Sequence, residues 1–244
     1  MKRRDLILAS AGLAGGLIPG LGRGAEPCPP PQVGVGGGTT ASTACPTTAS
    51  RTYTTNFPGS EYPLSEGGAW TNAGQYWTKV VKNNGIACGT QTGSGNYDDS
   101  YAHLTGFPPN VVAMATIAKA AGIPSSEYHE VELLLRWNDS ASSAAGYECN
   151  LHHAGSYAQI VRWNGPRGNF TYLADSRNVP APKDGDIVKA TVVGNVITFY
   201  LNDVRLAQAT DSTFTSGNPG IGFYIQGAVK NEVYGFKSFT ANSL

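Results

Sequence analysis

The sequence predicts an all-β fold, an antiparallel two-sheet sandwich. Three observations lead there. From Tyr53 to the end, short runs alternate apolar and polar residues. Turn signals separate them: Gly194-Asn195, Asn202-Asp203 and "SGNPG" at 216–220. No long helical periodicity competes with them, and many short strands joined by such turns make a sandwich.

The elements follow in chain order. Residues 1–25, "MKRRDLILASAGLAGGLIPGLGRGA", begin basic and carry no charge between Leu6 and Leu21. Glycines and Pro19 interrupt this stretch, so it reads as a secretory signal rather than a membrane span. Arg3-Arg4 resembles a twin-arginine signal, with an ordinary secretory signal as the alternative. The expected location is periplasmic or extracellular. No other stretch is long and apolar enough to span a bilayer. Residues 26–50 are rich in Pro, Gly, Ser and Thr and read as a linker. Residues 51–244 form the domain.

Acids and bases balance at 17 each, so nothing marks a nucleic-acid or anionic-membrane partner. Export would expose four cysteines to oxidation, and three pairings exist. Segregation by region favours Cys28–Cys45 and Cys88–Cys149, with a buried thiol as the alternative for Cys149. No Cys-x-x-Cys occurs, which argues against zinc.

Within the domain, 111–121 is Ala-rich and could be a helix. Alternation of Val112, Met114 and Thr116 with Val111, Ala113, Ala115 and Ile117 favours a strand. Further strands are predicted at 129–137, 146–153, 156–163, 169–175, 186–194, 195–203, 204–211, 220–227 and 232–241.

The stretch "DGDIVKATVVGNVITFYLNDVRLAQATDSTFTSGNPGIGFYI" resembles the C-terminal half of concanavalin A-like and laminin-G-like jelly rolls. The resemblance rests on Gly185-Asp186, the Tyr200–Asp203 hairpin, Asp211 and the Gly217–Gly222 loop. It implies a jelly-roll sandwich. It is specific for fold and weak for function, because this fold carries lectin modules, glycosidases and lyases.

Strand alternation then sorts the polar residues. On 129–137, Val131, Leu133, Leu135 and Trp137 share the apolar face; Glu130, Glu132, Leu134 and Arg136 share the other. On 146–153, Tyr147, Cys149 and Leu151 oppose Glu148, Asn150 and His152. With 138–145 as the loop, the expected register sets Leu135 opposite Cys149, Arg136 opposite Glu148 and Glu132 opposite His152. The next hairpin sets His152 opposite Tyr157 and Asn150 opposite Gln159, with Phe170 and Tyr172 extending the face. One surface should thus carry Glu132, Arg136, Glu148, Asn150, His152, Tyr157, Gln159, Trp163 and Tyr172.

Such a surface suits a polysaccharide. Aromatic rings stack on sugar C–H faces, and carboxylates and amides bond hydroxyls in fixed directions. The jelly-roll resemblance places it on the concave sheet. The plain alternative is a solvated strand face.

Two chemistries compete with binding alone. A glycosidase needs two carboxyl groups about 5–5.5 Å or about 6.5–9.5 Å apart. The expected register puts Glu132 and Glu148 on the order of 13 Å apart, and Glu130 and Glu132 about 7 Å. A β-eliminating polysaccharide lyase needs a carboxylate neutraliser, a base and an acid. Asn150, Gln159 and Arg136 fit the first role, His152 and Tyr157 the others, which is similar to jelly-roll alginate and glucuronan lyases. The lyase pattern matches at Gln159-Ile160-Val161, but its other strands are absent. A laminin-G-like adhesion module with a protein partner is the third reading.

His152 and His153 are expected on opposite faces, which excludes a shared metal. His103 and His129 read as satisfied polar residues. No cofactor is expected; a structural calcium ion would take oxygens from "NYDDSY" (96–101) or "ADSRN" (174–178). No Gly-x-Ser-x-Gly elbow occurs, so a Ser-His-Asp hydrolase is set aside.

Overall fold

The computed structural model describes residues 50–72, 74–228 and 230–244. The expected signal at 1–25, the linker up to residue 49 and the expected Cys28–Cys45 pairing lie outside the described residues.

Sixteen strands and one 3-10 turn (Asn231–Val233) make up the regular structure of the described residues. Six short strands come first: β1 (Thr52–Thr55), β2 (Ser60–Glu61), β3 (Thr71–Asn72), β4 (Val81–Asn83), β5 (Ile86–Cys88) and β6 (Ser100–His103). Longer ones follow: β7 (Val111–Lys119), β8 (Tyr128–Asp139), β9 (Ala144–His152), β10 (Tyr157–Gly165) and β11 (Phe170–Arg177). The last are β12 (Ile187–Val193), β13 (Val196–Leu201), β14 (Val204–Thr210), β15 (Asn218–Gln226) and β16 (Tyr234–Ser243). Every predicted strand is present, including β7, where strand and helix competed. There Val111, Ala113, Ala115 and Ile117 are buried and the alternate residues half-buried, the period of two that a strand imposes.

The strands form two antiparallel sheets. One runs β14-β13-β12-β7-β16-β5-β4-β2, with β1 also on β16. The other runs β11-β10-β9-β8-β15-β6-β3. Leu133, Leu135, Cys149, Leu151 and Ile160 of the seven-stranded sheet share one core with Ala113, Ile117, Phe199, Phe236 and Phe239 of the nine-stranded sheet. Each fully buried Leu, Ile or Phe contributes about 1.5–3 kcal/mol of transfer free energy. Asp211 ties the sheets at one end. It accepts from the Tyr147 hydroxyl at 2.7 Å and from the Arg162 guanidinium at 2.6 Å. Burial pushes its carboxyl up, but those bonds, the Thr213 N–H and the Arg162 charge bring it below its ordinary range.

Two expectations about this sheet are corrected. The β8–β9 register is offset by two residues. Leu133 faces Cys149, Glu132 faces Asn150, and Glu148 faces Leu134 rather than Arg136. The connecting turn is shorter than expected, because β8 runs to Asp139 and β9 starts at Ala144. An offset of two keeps every side chain on its own face, so the apolar pattern alone cannot distinguish the two registers.

A bulge at Leu135–Asn138 also changes parity. Arg136 adopts φ +48°, and beyond it Trp137 turns to the polar face, joining Tyr101, Leu134 and Trp163. Gly217 makes room for the bulge: a Cβ there would stand 2.3 Å from the Arg136 carbonyl, at φ +131°.

The Cys88–Cys149 disulfide is absent. Both are buried free thiols. Cys149 points into the core from β9, whereas Cys88 lies on β5 of the other sheet. Segregation by sequence region does not bring the two side chains together.

Candidate functional site

The polar face of the seven-stranded sheet is built as rungs running across β8, β9, β10 and β11. One rung is Glu132–Asn150–Gln159–Asp175, each residue directly opposite the next. Gln159 donates its amide to Asp175 at 2.9 Å. The neighbouring rung carries Glu130, His152, Tyr157 and Arg177. Its Tyr157 hydroxyl donates to Glu130 at 2.6 Å, and Arg177 lies over the Tyr157 ring at 5.4 Å. A third rung is Leu134–Glu148–Val161–Tyr172, and a fourth ends on Trp163 and Phe170.

Of the nine predicted residues, eight share this face: Glu132, Glu148, Asn150, His152, Tyr157, Gln159, Trp163 and Tyr172. Arg136 does not. The bulge turns it away, and its guanidinium donates to the carbonyls of Pro109 (2.9 Å), Phe214 (2.7 Å) and Gly194 (2.6 Å). It fastens three loops and leaves no Arg136–Glu148 pair.

The two-residue offset brings carboxylates together. Oxygens of Glu132, Glu148 and Asp99 lie within 4.8 Å of one another, which replaces the large Glu132–Glu148 separation expected from sequence. Glu148 is held by three neutral donors: the Trp163 indole at 2.6 Å, the Asn150 amide at 2.7 Å and the Tyr101 hydroxyl at 2.9 Å.

The face is also not a solvated one. Glu132, Glu148 and Asn150 are each 0 % exposed. The segment between β3 and β6 lies against them. Its Trp77 packs on Trp163, its Tyr97 on Phe170, and its Asp99 reaches the two glutamates. Sequence reasoning missed Trp77, Tyr97, Tyr101 and Trp137 as members of this face. Glycine-rich "GSGNYDD" (93–99) was legible as an oxygen-rich loop but carried no sign of where it would fold.

At the end of β9 the histidines also depart from expectation. His153 lies past the last residue of β9, in a turn, so strand alternation no longer separates it from His152. Their rings lie 4.6 Å apart, and both Nε2 atoms donate to the Glu127 carbonyl, at 3.2 and 3.0 Å. His152 Nδ1 accepts from the Ala154 N–H at 3.1 Å, so both of its nitrogens are engaged. Burial first, then His152, pulls His153 down to about 4; burial likewise lowers His129 and His152. His129 pairs with Glu127 and His103 with Asp139, as satisfied polar residues.

Beside this buried layer lies a row of packed aromatic rings. Tyr76, Trp77, Trp163, Phe170 and Tyr172 form a continuous strip, with neighbouring ring centroids 6.5, 6.3, 5.4 and 5.7 Å apart. Tyr97 adds to it at 5.5 Å from Phe170. Trp77 and Trp163 are buried, Tyr97, Phe170 and Tyr172 half-buried, and Tyr76 exposed. Exposed Asp175, Arg177 and Arg167 border the strip. Elsewhere, a cavity of about 550 Å³ lies against β2, β4 and β5, with exposed Tyr62 at its rim.

No protein family matches the chain in sequence, and no curated protein matches it. Solved structures match its fold. A CBM2 module of the evolved Dit of Lactobacillus casei BL23 phage J-1 has 13 % identity and a TM-score of 0.51, over 80 % of this chain and 96 % of that one. A structure described under endo-acting O-glycanases of the human gut microbiota has 11 % identity and a TM-score of 0.50, over 79 % and 98 %. A carbohydrate binding module, CBM66 from Bacillus subtilis, has 16 % identity and a TM-score of 0.49, over 74 % and 95 %. The fold is an antiparallel two-sheet jelly-roll sandwich, as the sequence predicted.

Proposed function

We propose that this protein binds a carbohydrate along the aromatic strip of the seven-stranded sheet. The observation that carries the reading is the group of half-buried rings Tyr97, Phe170 and Tyr172, to which exposed Tyr76 is joined through the buried Trp77 and Trp163. Rings held by edge-to-face and tilted packing on one another offer apolar faces at little entropic cost, which sugar C–H faces require. Asp175, Arg177 and Arg167 at the border can bond hydroxyls or charged substituents. The phage CBM2 module and the structure described under O-glycanases share the fold, which supports a carbohydrate reading. We place the protein outside the cytoplasm on its N-terminal sequence.

A polysaccharide lyase is the second reading. The His152 and Tyr157 rings lie 4.9 Å apart, with Asn150 and Gln159 paired beside them. Proton transfer would require both side chains to leave their present partners, because Tyr157 donates to Glu130 and both nitrogens of His152 are engaged.

A glycan array with the purified protein tests the first reading, and ultraviolet absorbance on a panel of uronans tests the second. Binding without absorbance is expected. Absorbance growing with time would make the protein a lyase. Neither signal would leave the adhesion module.

A further inference from the structure

Asp99, Glu132 and Glu148 come from three separate elements, and each is 0 % exposed. The β8–β9 register makes Glu132 and Glu148 diagonal neighbours on one face, and one oxygen of each residue lies within 4.8 Å of the others. Gly222 of β15, directly across from Glu132, keeps the cradle open. A Cβ there would stand 2.3 Å from Glu132 Oε2 and 2.8 Å from the Tyr101 ring.

A second observation is independent of the carboxylates. Asn150 faces Glu132 across the strands and is 0 % exposed. Its amide nitrogen is committed to Glu148, which fixes its orientation. Its Oδ1 then lies in the same buried layer without a hydrogen-bond partner. A buried amide oxygen left this way is costly, and a cation would satisfy it.

We propose that Asp99, Glu132, Glu148 and the Asn150 amide oxygen form a calcium site. An all-oxygen donor set selects a hard cation. The carboxylate oxygens lie within 4.8 Å of one another, close enough for one ion to bridge them. Calcium is favoured over magnesium because it accepts an irregular shell of protein oxygens, whereas Mg²⁺ demands near-octahedral geometry and keeps several waters. The ion ties the segment carrying Asp99 to β8 and β9. The site does not depend on the glycan reading.

Terbium is the probe, because Trp163 donates its indole N–H to Glu148 and so stands beside the ion. Indole-sensitised Tb³⁺ luminescence is expected from the full chain, displaced by Ca²⁺ and poorly by Mg²⁺. Glu132→Gln and Asp99→Asn should each weaken binding by about tenfold or more through lost ligand charge. Calcium at about a hundred times its dissociation constant should raise Tm by roughly 5–10 °C over the EDTA-treated protein, and less in these variants. Circular dichroism checks that each variant folds. If neither substitution folds, Asn150→Asp provides the test: it adds ligand charge and should increase the calcium dependence of Tm. Folded wild-type protein with no sensitised luminescence and no calcium shift overturns the proposal. So does a shift that persists unchanged in the folded variants, since the ion would then bind elsewhere. Stabilisation by acid in place of calcium would assign the cluster to shared protons and also overturn it.

Discussion

Trp163 donates its indole N–H to Glu148 at 2.6 Å, and the same ring packs at a tilt against Phe170 of the aromatic strip. One side chain therefore joins the buried carboxylates to the surface proposed to bind sugar. Trp163→Phe keeps a ring and deletes the donor. Leaving a buried hydrogen-bonding group without its partner costs about 1–3 kcal/mol. Urea unfolding should show a loss of that size, and an unchanged midpoint would mean that this bond contributes nothing to stability.

Arg136→Met should cost ~3 kcal/mol, because three loop carbonyls lose the charged donor that a buried Arg136 supplies to all of them at once. Arg136→Lys should recover only part of this, since an ammonium lacks the planar fork that reaches separate loops. Denaturation midpoints of the two variants measure it, and full recovery by lysine would contradict this account of the bulge.

The bulge also shows where the sequence stops being informative. Alternation assigned the faces of Glu132, Glu148, Asn150, His152, Gln159 and Trp163, because β8, β9 and β10 each bury one apolar face. It could not choose between registers that differ by two, so the distance between Glu132 and Glu148 was out of reach. Arg136 and Trp137 exchanged faces because one residue in the left-handed region resets parity, and the space it needs comes from the distant Gly217. His153 joined His152 because alternation ends where the strand ends. Strands β1 to β6 are only two to four residues long and carry too little periodic signal.

Gly217→Ala tests that dependence. A Cβ at 2.3 Å from backbone cannot be accommodated by rotating a side chain. The expected loss is more than ~2 kcal/mol. A variant as stable as wild type in urea would show that the bulge yields easily.

Acid should weaken the fold through the histidines. His153 titrates at about 4 in the folded protein, against an ordinary value of 6.5. Between these values the unfolded chain binds more protons, so stability rises with pH across this window. The contribution is complete above 6.5 and is lost as pH falls toward 4. His129 and His152 act in the same direction, because burial lowers both. His153→Gln keeps a donor for the Glu127 carbonyl and removes the titration. Its unfolding midpoint should change less than that of wild type between about pH 7 and pH 5. An identical pH slope in the variant would contradict the assignment.

The most direct test of the central claim is a calorimetric titration of an array-identified glycan into wild type, Tyr172→Ala, Phe170→Ala and Tyr62→Ala. Tyr62 serves as the control, exposed on the other sheet beside the large cavity. The strip predicts affinities about tenfold weaker, or ~1.4 kcal/mol, for each of the Tyr172 and Phe170 variants. It predicts no change for Tyr62→Ala. Unchanged binding in both strip variants, or loss of binding in Tyr62→Ala alone, would contradict the account.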